Sequence, residues 1–299
     1  MNLQMKTKKF RCSSFGRLMT GAVLPTASRL TEAQQKELTT LLEKVKLTDI
    51  QAKKRDELIL KRDTPVEPKL SEGAKTYIEE EFLKERFDYG FRFTNRFIEK
   101  GKEVEERSIR QVGALLGYQF ATKAPENYLE NDFICSSGYD WKVKNFVFDQ
   151  KNVWSPSGLK LFDNDKDIAI YEWQIRGYAM LINELENGSI EAGAVIRSLM
   201  NPSAELIFKQ ARLLWIEAGN NYSDEIPESF LIEVEKEFDF EGKFPNIADR
   251  VRIHRVECTQ EHFELIRIYV KLAQEYYNSL ETICENVNTN EINFFKNAN

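Results

Sequence analysis

The segment 138–152, GYDWKVKNFVFDQKN, constrains the fold more than any other part of the chain. Aromatic and β-branched residues alternate with polar ones on both sides of Lys144 and Asn145, a pattern that predicts a β-hairpin. Lys-Asn is a weaker turn signal than Asn-Gly, so the alternatives are a two-residue turn at these residues and a longer loop, which would shift the pairing. With the two-residue turn, the antiparallel register places Asp140 directly opposite Asp149, with Cβ atoms about 5 Å apart. A slip of one residue would mix the polar and apolar faces, which the alternation resists.

Two opposed carboxylates repel each other, so a bare pair destabilises the protein unless one acid binds a proton or a cation lies between them. Hard divalent cations prefer oxygen ligands at such close approach. Lys151 shares a strand face with Asp149 and could orient water or stabilise charge on a phosphate. This combination suits metal-dependent phosphodiester hydrolysis. On these residues alone, a surface hairpin with ordinary charges remains the better interpretation.

A predicted helix over residues 94–116 contributes a third acid. Glu105 borders the buried stripe of this helix, whereas Glu106 turns outward by about 100°. A carboxylate beside the core is costly without a partner or a metal. The alternative is a boundary glutamate that reaches water.

A second predicted helix, residues 167–182, carries Gln174 and Tyr178 on one side of an otherwise apolar surface, because residues four apart face the same way. Buried glutamine and tyrosine side chains need hydrogen-bond partners. These partners are either functional groups or, as is common, the backbone.

The remaining chain predicts a single domain, 1–299, with a helical hairpin inserted at residues 31–64. Thr31 and Gln34 form a capping-box pattern at its start, and prolines end it. Residues 285–299 are typical of a frayed tail.

Composition narrows the functional classes. No apolar run is long enough to cross a membrane, and the four cysteines lie far apart, which favours a reducing cytoplasm. The net charge of −6 requires any nucleic-acid surface to be local. His254, Cys258 and His262 are residue types that bind zinc, but their spacing favours ordinary structural roles.

Taken in order, these motifs resemble the PD-(D/E)XK nuclease superfamily, and within it the YqaJ-like phage recombination exonucleases that include lambda exonuclease. The likeness covers roughly residues 10 to 280. It implies an α/β, restriction-endonuclease-like core with a small mixed β-sheet flanked by helices. It also implies an exonuclease that acts on linear duplex DNA ends and uses Mg²⁺, with Mn²⁺ as a substitute. The residues that match the family pattern are Gly101-x-x-x-Glu105, Asp140 and Asp149 as metal ligands, Lys151 as the charge-stabilising group, and Gln174 and Tyr178 as positioning groups.

The resemblance has further implications. The N-terminal FRCSSFGRLMTG is similar to the family segment that approaches a DNA 5′ phosphate. Ser13 and Ser14 stand before a predicted short helix with Arg17 one turn on, so they either bind that phosphate or simply cap the helix. The family also implies a ring-like homo-oligomer, often a trimer, a single-strand annealing recombination protein as partner, and a host cytoplasm if the protein is phage-encoded.

Two departures from the family pattern leave other functions open. Ser137-Gly138-Tyr139-Asp140 stands where the family has Gly-Thr-Pro-Asp, and Gln150 is polar where an apolar residue is usual. Both leave the acids in place. The alternatives are a catalytically silent DNA-binding or scaffolding protein, and a nuclease with endonuclease or single-strand preference.

Overall fold

A computed structural model describes the backbone of most of the chain, with side chains described as far as Cys284. The described residues are 7–25, 30–90, 94–125, 128–159 and 168–297. The chain divides into two compact units, Met1–Arg17 with Glu81–Phe263, and Leu18–Glu80 with Glu264–Asn299. The predicted helical insertion, residues 31–64, falls within the second of these units. The single domain stays a prediction.

Helices account for most of the described secondary structure. In chain order they are α1 (Phe15–Leu18), α2 (Glu32–Glu43), α3 (Asp49–Asp63), α4 (Glu72–Arg86), α5 (Arg96–Leu115), α6 (Ile168–Leu185), α7 (Ala204–Glu217), α8 (Glu228–Phe238), α9 (Phe240–Lys243) and α10 (Gln260–Asn297). Within the described chain, no helix is both long enough and apolar enough to cross a membrane.

The strands form two small mixed sheets in the first unit. The three-stranded sheet has the order β1-β3-β2, with β1 and β3 parallel. The four-stranded sheet has the order β4-β5-β6-β7, in which only the central pair is parallel. The strands are β1 (Phe10–Arg11), β2 (Leu129–Glu130), β3 (Ile134–Ser136), β4 (Trp141–Val143), β5 (Phe146–Asn152), β6 (Ala192–Ser198) and β7 (Val251–Glu257).

The predicted hairpin is confirmed with its register. Trp141 pairs with Phe148 and Val143 pairs with Phe146, so the turn falls at the two residues between them. Lys144 takes a φ of 50°, which a tight turn between strands requires. The register therefore sets both acids of the hairpin at the end of the ladder remote from the turn.

The two faces of the larger sheet are covered by different helices. On one face, Trp141 and Phe148 stack with ring centroids 4.0 Å apart and pack against Ile109 and Val112 of α5. On the other face, α6 lies so close to β6 that a Cβ at Gly193 would meet the Ile175 side chain at 2.6 Å. Side chains from β5 therefore point alternately towards α5 and towards α6.

The second unit contains the predicted helical hairpin. Thr31 with Gln34, and Thr48 with Gln51, form complete capping boxes at the starts of α2 and α3. The two helices bury a small leucine cluster made by Leu38, Leu41 and Leu58.

Two helix boundaries differ from the sequence prediction. The predicted short helix is present as α1 from Phe15, but a 3-10 turn at Cys12–Ser14 precedes it, so the helical segment begins at Cys12. The N-cap of that turn is Arg11, which makes no side-chain capping bond. The last helix continues to Asn297, whereas the sequence predicts an end near Ile283 and a frayed tail over 285–299. Its backbone is helical through most of that segment.

Candidate active site

The β4–β5 hairpin brings two carboxylates together. Asp140 precedes the Trp141–Phe148 pair and Asp149 follows it. Asp149 is 1% exposed, and Oδ2 of Asp140 accepts a hydrogen bond of 2.5 Å from the backbone N–H of Gln150. Burial, and then the charge of Asp149, raise the pKa of Asp140 to about 7, against the lowering effect of that hydrogen bond.

Lys151 lies beside the buried acid. Its Nζ is 2.9 Å from both carboxylate oxygens of Asp149 and donates a hydrogen bond to Oδ1. Burial of the ammonium favours its neutral form, but the Asp149 charge outweighs this effect, so the pKa of Lys151 is raised. The lysine is therefore a fixed cation at this site.

Helix α6 supports the same carboxylate from the opposite side. Nε2 of Gln174 lies 3.0 Å from Oδ1 of Asp149 and 2.5 Å from the hydroxyl of Tyr178. Burial, and then the Asp149 charge, raise the pKa of Tyr178 well above its usual value, so this phenol stays neutral. The glutamine and tyrosine thus bond to each other and to the acid, whereas the sequence left backbone partners open.

Oδ2 of Asp149 is buried and accepts no hydrogen bond from any described residue, while Nζ of Lys151 forms an ion pair with it at 2.9 Å. A buried carboxylate, with a second carboxylate at the same end of the hairpin, fits the oxygen ligands that Mg²⁺ prefers. The described residues contain no group of three His, Cys, Asp or Glu side chains arranged to hold a metal ion. The fit to a divalent cation therefore rests on Asp140 and Asp149.

Glu105 is placed near this pair but is differently engaged. Its side chain is 17% exposed and forms an ion pair with Lys123. Its charge contributes to the raised pKa of Asp140, which places it within electrostatic range of the hairpin acids. Glu106 is exposed, as predicted. Glu105 thus has a protein partner in Lys123, and its role as a metal ligand stays a prediction.

An open cleft of about 560 Å³ lies at the carboxyl ends of β5 and β6. Glu105 and Lys151 line this cleft. The lining also includes residues that the sequence pattern did not single out, among them Phe97, Lys102, Tyr171 and Arg197. Tyr171 lies three residues before Gln174, so helical spacing could have identified it. Arg197 could have been noticed as the charged residue of an otherwise apolar strand.

The polar Gln150 points to the α5 side of the sheet, away from Asp149. Its Nε2 donates to Oγ of Ser198 at 2.7 Å, and that hydroxyl donates to Oδ1 of Asn152 at 2.8 Å. Nδ2 of Asn152 in turn donates to the carbonyl of Gly101 in α5. The departure from the family pattern at Gln150 thus serves a network that ties the end of β5 to β6 and α5.

The N-terminal candidates lie beside α6. The turn at Cys12–Ser14 packs on Gly177, where a Cβ would lie 3.0 Å from the sulfur of Cys12. Ser13 and Arg17 are exposed and Ser14 is half-buried. This places the segment next to the helical turn that carries Tyr178.

The candidate zinc residues have separate partners. Nε2 of His254 lies 2.7 Å from Glu172, and Nδ1 of His262 accepts a hydrogen bond from the backbone N–H of Thr259. Burial raises the pKa of the Cys258 thiol to about 12.

This mixed sheet flanked by helices is an exonuclease-type α/β fold, and the predicted fold class is confirmed. The chain is similar to a solved structure of a phage related exonuclease from Haemophilus somnus 129PT, with a TM-score of 0.58 and 19% identity over 93% of this chain and 97% of that one. A weaker similarity is to the alkaline exonuclease of Laribacter hongkongensis, with a TM-score of 0.42 and 10% identity over 75% of this chain and 88% of that one. No family model and no curated protein matches the chain.

Proposed function

We propose that this chain is a Mg²⁺-dependent deoxyribonuclease of the PD-(D/E)XK superfamily, and that it degrades linear duplex DNA from its ends. The observation that carries the proposal is the Asp149 carboxylate, which is buried, accepts hydrogen bonds from Lys151 and Gln174 through Oδ1, and lies at the same end of the hairpin as the Asp140 carboxylate. The shared fold with a phage related exonuclease supports the same class of activity.

Each residue then has a definite task. Asp140 and Asp149 would hold the cation, with Glu105 near enough to bind it through water. The bound cation would polarise the phosphate and favour formation of the attacking hydroxide. Lys151 stabilises the charge that develops on the phosphate and orients the attacking water.

Gln174 and Tyr178 act on the carboxylate rather than on the substrate. The Gln174 amide fixes the rotation of Asp149, and the neutral hydroxyl of Tyr178 accepts a second hydrogen bond from the same Nε2. Fixing a ligand in this way raises metal affinity, because less freedom is lost on binding.

The biological setting follows from the family resemblance. DNA ends are the substrate, and Ser13, Ser14 and Arg17 would contact the 5′ phosphate. A ring-like trimer would enclose the duplex, and a single-strand annealing protein would receive the exposed strand. Phage-type recombination or repair in the host cytoplasm is the corresponding context.

A cleavage assay with two substrates tests this function. A labelled linear duplex should be degraded with Mg²⁺ and left intact with EDTA, while a closed circular duplex should survive both conditions. Asp149→Asn should abolish degradation. Cleavage of the circle would favour the endonuclease alternative. DNA binding without cleavage would favour the silent scaffold.

A further inference from the structure

The cleft beside Lys151 contains a second cation at the same level of the sheet. Arg197 on β6 is the direct strand partner of Lys151 on β5. Side chains of directly paired residues share a face, and adjacent strands lie about 4.8 Å apart, so two like charges here repel each other. Both residues line the cleft. Lys151 is already paired with Asp149, so a phosphate that enters the cleft would meet the guanidinium of Arg197 beside that ion pair.

The ring of Tyr171 organises this pair. Nζ of Lys151 lies 5.0 Å from the ring centroid, and Cζ of Arg197 lies 6.0 Å from it. A cation within about 6 Å of an aromatic face is attracted by the ring quadrupole. Tyr171 belongs to the same face of α6 as Gln174, so one helix supports both the buried acid and the two cations.

We propose that Arg197 binds a backbone phosphate of the DNA strand in this cleft, and that Tyr171 is a positioning residue that holds Arg197 beside Lys151. The inference rests on the proposed nuclease function and adds a substrate contact to the same site. A guanidinium offers several N–H donors in a planar fork that matches phosphate oxygens, which a lysine does not. The cleft also holds Lys102, and the exposed Phe97 gives it an apolar wall for a base or sugar.

DNA binding in EDTA tests the proposal without any need for cleavage. The probe is a fluorescein-labelled linear duplex, titrated at several salt concentrations with wild type and with Arg197→Met. Loss of one charged phosphate contact should raise Kd about 10-fold. It should also reduce the slope of log Kd against log salt by about 1. Arg197→Lys should restore the salt slope but only part of the affinity.

The control is Arg255→Met, because Arg255 is an exposed arginine of the same sheet that lines a separate cavity near the β4–β5 turn. This change should leave the affinity and the slope as in wild type. Tyr171→Phe keeps the ring and should bind normally, whereas Tyr171→Leu should weaken binding in the direction of Arg197→Met.

The outcomes separate this inference from the proposed function. If wild type degrades DNA and Arg197→Met binds the duplex with unchanged Kd and slope, the Arg197 contact is overturned while the nuclease function stands. If wild type binds DNA without cutting it and Arg197→Met loses affinity, the contact is supported and the nuclease function is not. Equal losses in Arg197→Met and Arg255→Met would also overturn the inference, because the effect would then be general charge.

Discussion

The side-chain amide of Gln174 lies 3.0 Å from Oδ1 of Asp149, the same oxygen that accepts a hydrogen bond from Lys151. Both hydrogen bonds therefore fall on one carboxylate oxygen, whereas the contact of Oδ2 is its ion pair with Nζ of Lys151 at 2.9 Å. Burial, and then the charge of Asp149, raise the pKa of Asp140, which indicates that the two acids repel each other. A divalent cation bound by both acids would offset this repulsion, so the protein should gain stability when a suitable ion is added.

The first prediction follows directly. Millimolar Mn²⁺ or Mg²⁺ should raise the melting temperature of wild type, since a ligand that binds only the folded state at 100 times its Kd adds about 2.7 kcal/mol. For a protein of this size, each kcal/mol shifts the melting temperature by about 2–4 °C. Asp149→Asn and Asp140→Asn should each remove this gain, as measured by differential scanning fluorimetry. Glu106→Gln, on the exposed side of α5, should retain it. A wild-type melting curve that is indifferent to Mn²⁺ would contradict the metal site.

The second prediction concerns pH. The pKa of Asp140 is raised to about 7, so a proton competes with the cation at lower pH. The melting-temperature gain from a fixed Mn²⁺ concentration should therefore be larger at pH 8 than at pH 6. Titrations at both pH values measure it, with EDTA-treated protein as the reference at each pH. An equal gain at the two pH values would show that Asp140 is already ionised at pH 6.

The third prediction isolates Gln174. Gln174→Leu removes both hydrogen bonds made by Nε2 while keeping a buried side chain of similar size. Loss of a group that orients a metal ligand typically lowers metal affinity or activity 10–100-fold, and we expect this range here. The Mn²⁺ concentration at half-maximal cleavage rate is the informative measurement. It should rise, because a less firmly oriented Asp149 binds Mn²⁺ more weakly. A purely structural effect would instead lower the rate without changing the metal dependence.

The sequence is sufficient to predict the local geometry of this site. Strand alternation and a two-residue turn determine which residues oppose each other, so the amino-acid pattern alone places Asp140 and Asp149 together. Helical spacing likewise puts Gln174 and Tyr178 on one face of α6. Both patterns depend only on neighbours within about ten residues, and that is the range over which periodicity is informative.

Contacts between distant segments cannot be predicted in the same way. The ion pair of Glu105 with Lys123, and the pairing of Lys151 with Arg197, join elements whose relative placement depends on the whole core. The start of the N-terminal helical segment differs from the prediction for another reason. Phe10 and Arg11 form strand β1, which pairs in parallel with β3, and the helical turn starts directly after it at Cys12.

The fourth prediction tests the DNA end. Arg17 is exposed beside the turn at Cys12–Ser14, which packs against α6. If this segment binds the terminal phosphate, a duplex with 5′-phosphate ends should be degraded faster than one with 5′-hydroxyl ends. Arg17→Ala should abolish the difference while leaving the rate on 5′-hydroxyl ends as in wild type. Initial rates on the two substrates provide the comparison, and equal rates in the unmodified protein would rule out the phosphate pocket.

The fifth prediction concerns Lys100, which is completely buried in α5. Its Nζ donates to the carbonyl of Val153 at 2.8 Å and lies 5.5 Å and 5.2 Å from the ring centroids of Trp154 and Phe240. This lysine therefore holds the chain that leaves β5 just after Lys151. Burial, and then the nearby charge of Arg107, lower its pKa to about 7, against the opposing effect of nearby acids.

The sign of the effect on stability follows from proton counting. Above pH 7 the folded protein has released the Lys100 proton, whereas the unfolded chain keeps it until about pH 10.4. Unfolding then takes up a proton, so the free energy of unfolding rises with pH by at most about 1.4 kcal/mol per unit. Lys100→Met has no such proton, and other titrating groups contribute equally to both proteins. Urea unfolding in EDTA at pH 6, 7.5 and 9 should therefore show the stability of wild type rising relative to Lys100→Met as pH increases. A difference that is constant from pH 6 to pH 9 would mean that Lys100 stays protonated in the folded protein.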